Sequence, residues 1–520
     1  MIKKILGIAG IVLIVILAIL VNLFLIQPIE VEESKNFPTS PIFKEIPINF
    51  NHRFTAEDNS KPFLGGAIID INGDSRQEIF IGGGYQQDDA LFSFMDGEFI
   101  NIINGTGLSN PSATYGAVSI DLDHDQDIDL IVARNDGVYV YENEGSKFLS
   151  KKLNLTLPQE HVVIGVSAGD FNKDNYPDLY LNTFIRPKYF KPATFNDPSN
   201  AAQDILLIND QGKFIDATEE SMAVVKQNSF TAVFVDLNND SWQDLVVATN
   251  TGTVRIFKNV GGKFVVKKDP TGYGFWMGLG VGDLNNDGYQ DLVLTNSGNT
   301  IKSIFAKGDL RNYQLLDTKW AVLFNNGDFT FERKNDLPNL GFSWGIVAED
   351  LNLDGKEDIL LSQNYIKWLA HRFKKLPGRL FIQDNGNFVA ATELSGLSNP
   401  YYGQSPLLVD INNDGYQDVL LLNINGPLRA FLNNGGENHY LKVILEDSAE
   451  SLGAILTLTK KDGSKLTKQY FTSEGYMTDP SPEIIFGLGQ EEPESLTIKW
   501  PSGREKTVNN LEVDSVIVVG

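Results

Sequence analysis

The chain of 520 residues has no cysteine, so a disulfide framework, thiolate metal ligation and a cysteine nucleophile are all excluded. Histidine is scarce: His52, His124, His161, His371 and His439 are scattered, with no His-Glu-x-x-His pair and no Gly-x-Ser-x-Gly elbow. Positive charge is also short. Lys plus Arg number 43 against 67 Asp plus Glu, and a net charge of −24 opposes binding to a nucleic-acid backbone. Cationic partners suit such a surface better.

Long apolar runs are missing everywhere except at the N-terminus. There Lys3 and Lys4 precede an apolar run from Ile5 to Val21, which continues past Asn22 to Ile26 and ends at Gln27-Pro28, 22 residues in all. About 20 such residues span a bilayer as a helix, and the flanking lysines stay cytoplasmic. The sequence therefore predicts one N-terminal transmembrane helix (1–28), a linker (29–54), and a bulk that is periplasmic or extracellular. A signal peptide would have a shorter apolar core and a small-x-small site, neither of which is visible; cleavage would make the remainder secreted.

What the chain has in abundance is one motif. DINGDSRQE (Asp70 to Glu78), DLDHDQDID (Asp121 to Asp129), DFNKDNYPD (Asp170 to Asp178), DLNNDSWQD (Asp236 to Asp244), DLNNDGYQD (Asp283 to Asp291), DLNLDGKED (Asp350 to Asp358) and DINNDGYQD (Asp410 to Asp418) all obey D-x-[DN]-x-D-x-x-x-[DE]. Each lies between two short apolar stretches, so each acidic loop joins two strands. Turn dipeptides such as Asp96-Gly97, Gln211-Gly212 and Asn434-Gly435 mark a second hairpin in every repeat. Motif starts are 51, 49, 66, 47, 67 and 60 residues apart, which fits four-stranded blades of about 40 to 50 residues plus insertions. The expected fold is all-β: a seven-bladed β-propeller over 55–438, followed by a small sandwich-like β domain over 439–520.

These repeats resemble FG-GAP (VCBS) repeats, the unit of integrin α-chain propellers. The apolar-Gly element before the first Asp is Leu64-Gly65, Tyr115-Gly116, Ile164-Gly165, Met277-Gly278 and Trp344-Gly345, while blade four has Phe230-Thr231 and blade seven a displaced Tyr402-Gly403. Beyond Asn438, Gly453-Ala454, Gly487-Leu488-Gly489 and Trp500-Pro501-Ser502-Gly503 resemble the ASPIC/UnbV domain that follows such propellers in the cartilage acidic protein family. That resemblance implies architecture, and relatives beside biosynthetic genes imply a role in handling a small product.

Ca²⁺ takes six to eight oxygens, which a tight loop offers from alternate positions and a later carboxylate. The candidate ligands are Asp70, Asp121, Asp170, Asp236, Asp283, Asp350 and Asp410 at the first position, with Asn72, Asp123, Asn172, Asn238, Asn285, Asn352 and Asn412 at the third. Asp74, Asp125, Asp174, Asp240, Asp287, Asp354 and Asp414 stand fifth. Arg76, Asp127, Tyr176, Trp242, Tyr289, Lys356 and Tyr416 would add seventh-position backbone carbonyls, and Glu78, Asp129, Asp178, Asp244, Asp291, Asp358 and Asp418 close the loops at the ninth. Clustered carboxylates of this number repel one another without a counter-ion, so up to seven Ca²⁺ are expected. Turn capping by Asp and Asn is the simpler alternative for any single loop.

Opposite the acidic loops, long insertions run from Arg186 to Gln203, Gly298 to Lys319 and Tyr365 to Arg379, the last rich in Lys and Arg. Tyr115, Phe230, Trp276, Trp344, Tyr401 and Tyr402 fall near the inner strands on that side, where an aromatic depression would accept a ligand, although such rings also simply pack between blades. The sequence therefore points to a Ca²⁺-binding adhesion or scaffold module for a glycan or protein ligand, without nucleic acid. An enzyme or small-molecule-handling protein working in the propeller channel is the alternative.

Overall fold

The computed structural model describes residues 12–17, 31–34, 41–55, 59–298, 303–334, 337–338, 340–363, 376–384, 386–446 and 448–520. Seven sheets of the described residues each carry one acidic loop, between their first and second strands. The second sheet is typical, with Thr114–Ile120, Asp129–Arg134, Gly137–Asn143 and Phe148–Lys152 pairing antiparallel in chain order. Its first two strands are buried along their whole length, whereas Phe148–Lys152 is exposed after its first residue. A strand covered on both faces needs apolar residues at every position, which is why the inner strands read as continuous apolar runs.

The first strands follow one another in a closed cycle. Gly66–Ile69 lies against Thr114–Ile120, then His161–Gly169, Asn228–Val235, Leu279–Gly282, Ser343–Glu349 and Gly403–Val409 succeed it, and the last returns to Gly66–Ile69. Glycine in the apolar-Gly element makes this approach possible. A methyl on Gly116 would stand 2.8 Å from the Ile164 carbonyl oxygen, and one on Gly278 would stand 2.3 Å from that of Trp344.

Two expectations are corrected by the last sheet. Gly403–Val409, Asp418–Asn423 and Arg429–Asn433 are joined not by a strand after Asn434-Gly435 but by Phe43–Ile46, from the stretch read as a linker. Phe43 pairs with Asn433 and Ile46 with Ala430, and Phe43 is buried in the core between sheets six and seven. The physical reason is that the chain leaves the ring at Asn434 for the C-terminal domain, so the edge of Arg429–Asn433 needs a partner from elsewhere.

The C-terminal region forms two further sheets, Ile484–Gly489 with His439–Leu445 and Ser515–Val519, and Lys465–Gln469 with Ile455–Lys460, Pro493–Lys499 and Glu505–Asn509. Glu505–Asn509 escaped the sequence reading because its side chains are almost all exposed and carry no apolar alternation. Most of the apolar run expected to span a membrane lies outside the described residues; Val12 to Leu17 are helical with exposed side chains. Among the described residues no helix is long and apolar enough to cross a membrane.

Candidate metal-binding loops and the filled channel

All seven acidic loops share one wiring. The first Asp accepts the backbone N–H of the sixth residue, at 2.7 Å in the first loop, 2.9 Å in the fifth and 2.8 Å in the seventh. The fifth Asp accepts the N–H of the seventh residue, as Asp174 does from Tyr176 at 2.9 Å and Asp287 from Tyr289 at 3.0 Å. The ninth carboxylate accepts the N–H of the second residue, for example Asp244 from Leu237 at 3.0 Å. Residues four and six take positive φ in every loop; Gln126 at 74° and Ser241 at 70° match Gly288 at 92°. The loops without glycine at position six therefore bend like the others, against the steric preference of their residues.

Side chains converge inside these turns. The carboxylates of Asp121, Asp123 and Asp129 place oxygens within 4.8 Å of one another, a donor set of the kind a hard cation takes. In the other loops Asn holds the third position, and in five of these six its carboxamide N–H donates to the fifth Asp, at 2.9 Å from Asn172 to Asp174 and 2.8 Å from Asn412 to Asp414. Protein cations approach three of the loops: Lys442 Nζ sits 2.8 Å from first-position Asp410, and Lys258 and Lys356 sit 3.0 and 3.1 Å from fifth-position Asp240 and Asp354.

Electrostatics report the crowding. Burial, reinforced by the neighbouring carboxylates, pushes Asp244 and Asp291 up to about 8, and Asp129 to about 7. Asp178, Asp358 and Asp418 rise well above the ordinary carboxylate range for the same reason. First-position Asp283 and Asp350 reach about 7, and Asp170 and Asp236 about 6. Backbone N–H donors pull the other way and do not prevail.

One set of residues went unnoticed in the sequence. Asn143, Asn209, Asn259, Asn325, Gln383 and Asn433 are the last or next-to-last residues of the third strands, and the N–H of each donates to the ninth carboxylate of its own loop at 2.7 to 2.9 Å. Their side-chain amides reach back to the second residue of the preceding loop, as Asn259 does to the Phe171 carbonyl at 2.7 Å. An Asn or Gln two or three residues before the hairpin glycine, in six of the seven repeats, was the available signal.

The C-terminal domain sits on the acidic-loop face. Gln469 brackets Asp236 with two hydrogen bonds, accepting its N–H at 3.0 Å and donating to its carbonyl at 2.8 Å, and Lys173 donates to the Pro501 carbonyl at 3.1 Å. From this domain the segment between the strands Lys465–Gln469 and Ile484–Gly489 enters the middle of the ring. Thr472 bonds Ala168, Glu474 accepts from Val281 and Ala348 at 3.1 Å each, Asp479 accepts from Ser119 at 2.8 Å, and Thr478–Asp479 pairs in parallel with Gly66 and Ala67.

The aromatic depression expected on the far side is accordingly not open. Tyr115, Phe230 and Trp344 are buried in one cluster with Phe63, and Tyr476 from the inserted segment closes it, 5.3 Å from both Phe230 and Trp344 between ring centroids. Trp276 belongs to a different core and donates to the Gly272 carbonyl at 3.1 Å. Tyr402 packs against the core of sheets one and seven, while Tyr401 stays 38% exposed. The six rings thus fall into separate places because large apolar side chains at sheet junctions gain more from mutual burial than from facing water.

Insertions do meet on that side. Asn196 and Phe195 donate backbone N–H groups to the Asp309 carboxylate at 3.0 and 2.6 Å, and the Asn196 side chain bonds Gln314, so the insertions of sheets three and five join across sheet four. A cleft of about 740 Å³ opens beside the sheet-three insertion, lined by Leu153, Leu155, His161, Arg186 and Tyr189 among others. Lys367, Trp368, His371, Arg372, Lys374 and Lys375 of the third insertion lie outside the described residues.

Comparison with protein families agrees with the repeats and the C-terminal domain. The FG-GAP-like repeat family matches residues 121–181 and 236–294, and the ASPIC and UnbV family matches 446–520. Cartilage acidic protein 1 of Homo sapiens is 22% identical over 497 residues, covering 79% of this chain and 73% of the human protein. The chain is a homologue of cartilage acidic protein 1. The Mus musculus protein is 31% identical over 126 residues, which cover 22% of this chain and 19% of the mouse protein. Among solved structures, BBS1N in complex with ARL6DN aligns at 10% identity and a TM-score of 0.44, covering 76% of this chain and 97% of its own. YCF48 bound to D1 peptide aligns at 10% identity and 0.42, covering 77% of this chain and 100% of its own.

Proposed function

We propose that the seven sheets are the blades of one Ca²⁺-stabilised propeller that works outside the cytoplasm as a binding or scaffold module, held to a membrane by its N-terminal segment. The closed cycle of first strands supports the ring, and the homology to cartilage acidic protein supports the compartment. In each loop the first, third, fifth and ninth side chains would hold the ion, whose charge would keep the buried carboxylates ionised. The observation that carries the binding reading is the filled channel. Tyr476 and its segment occupy the space in which a channel enzyme or small-molecule carrier would need its substrate, so the free recognition surface is the insertion face. A glycan or protein ligand would meet the joined insertions and the cleft beside them. Screening the purified extracytoplasmic part against glycan and secreted-protein arrays tests this. Asn196→Ala should weaken binding to any hit at least tenfold while leaving Ca²⁺ uptake unchanged, and equal binding by the variant to every hit would contradict the proposed surface.

A further inference from the structure

A cavity of about 60 Å³ lies where sheets five, six and seven meet the C-terminal domain. Its walls include Gln290, Glu357 and Gln417, the eighth residues of three acidic loops, together with Glu474 and Glu483 from the C-terminal domain. All five are more than nine-tenths buried, with exposures from 1% to 7%. Three oxygens there have no hydrogen-bond partner among the described residues: Glu357 Oε2, Gln417 Oε1 and Glu483 Oε1. Gln290 Nε2 is likewise unmet, and a half-turn of that carboxamide presents a fourth oxygen.

Two ammonium groups reach this region, and neither satisfies those atoms. Lys468 Nζ divides itself between Glu349 at 2.5 Å and Glu357 Oε1 at 3.1 Å, and Lys442 Nζ between Asp410 at 2.8 Å and Glu483 Oε2 at 2.9 Å. The Glu474 carboxylate meets only backbone N–H groups. Negative charge is therefore in surplus, and a buried carboxylate oxygen without a partner costs about 1 to 3 kcal/mol or more. An all-oxygen donor set of two carboxylates and one or two carboxamides selects a hard cation over a soft one. Since one water needs roughly 10 to 15 Å³ of such space, the cavity takes an ion together with some of its waters.

We propose that this cavity binds a hydrated hard divalent cation, at a site separate from the seven loops, and that the ion ties the C-terminal domain to the ring. The test uses crystals of the chain grown in chelator and soaked with Mn²⁺, read by anomalous scattering. A peak is expected in the cavity, held by Glu357 Oε2 and Glu483 Oε1 either directly, at about 2.0 to 2.6 Å, or through a bound water. Glu483→Gln should abolish it; should that variant not fold, Gln417→Leu, which deletes only a neutral ligand, should weaken it severalfold. Water alone in the wild-type cavity overturns the proposal, as does a peak of unchanged height in the variants. Loop peaks are scored in the same map, so a filled cavity with empty loops would sink the loop reading and leave this one standing.

Discussion

Tyr476 concentrates the physics of the channel in one side chain. It is fully buried, touches rings from sheets four and six, and its hydroxyl has no hydrogen-bond partner among the described residues. Burial of the ring is worth more than the unmet hydroxyl costs, so the two contributions can be separated by substitution. Tyr476→Phe should leave stability unchanged or raise it by up to about 1 kcal/mol. Tyr476→Ala should cost about 3 to 5 kcal/mol, because the surrounding rings cannot collapse into the gap. Denaturant unfolding of both variants checks the pair, and a harmless alanine would mean that the channel segment is not held as described. Nothing in the sequence around Gly475-Tyr476-Met477 distinguished it from an ordinary loop. Its role depends on partners more than a hundred residues away, such as Phe63, Phe230 and Trp344, which no local pattern encodes.

Among the elements, Phe43–Ile46 closes the ring. Sheet seven has only three strands from its own repeat, and the N-terminal strand supplies the fourth, fastened further by Arg429 to Glu45 at 2.7 Å. Removing residues 1–47 exposes the edge of Arg429–Asn433 and empties the position of Phe43. The truncated chain should melt at least several degrees lower than a chain truncated only to residue 30, and identical melting curves would show that closure does not depend on this strand. A four-residue strand of sequence Phe-Lys-Glu-Ile sits in a stretch whose prolines and short apolar runs read as a linker. The inner strands and acidic loops were legible because their signal repeats: apolar run, acidic motif, apolar run. The outer strands were less so, since solvent covers one face and accepts nearly any residue.

For the whole molecule, the ring and the C-terminal domain meet across a layer of carboxylates, whose negative charge must be balanced by protons or cations. Folded-state values near 6 to 8 for loop aspartates, against an unfolded value of 3.8, mean that the fold binds protons more tightly than the unfolded chain. Without metal this contribution is complete below about pH 4 and is lost as pH climbs through the 6 to 8 range. A bound cation would keep the carboxylates ionised and remove that loss. Thermal melting at pH 5.5 and pH 8, each in chelator and in millimolar Ca²⁺, tests this most directly. In chelator the melting temperature should drop by many degrees between the two pH values, and Ca²⁺ should restore most of it at pH 8. Melting curves that ignore both chelator and Ca²⁺ at pH 8 would contradict the account.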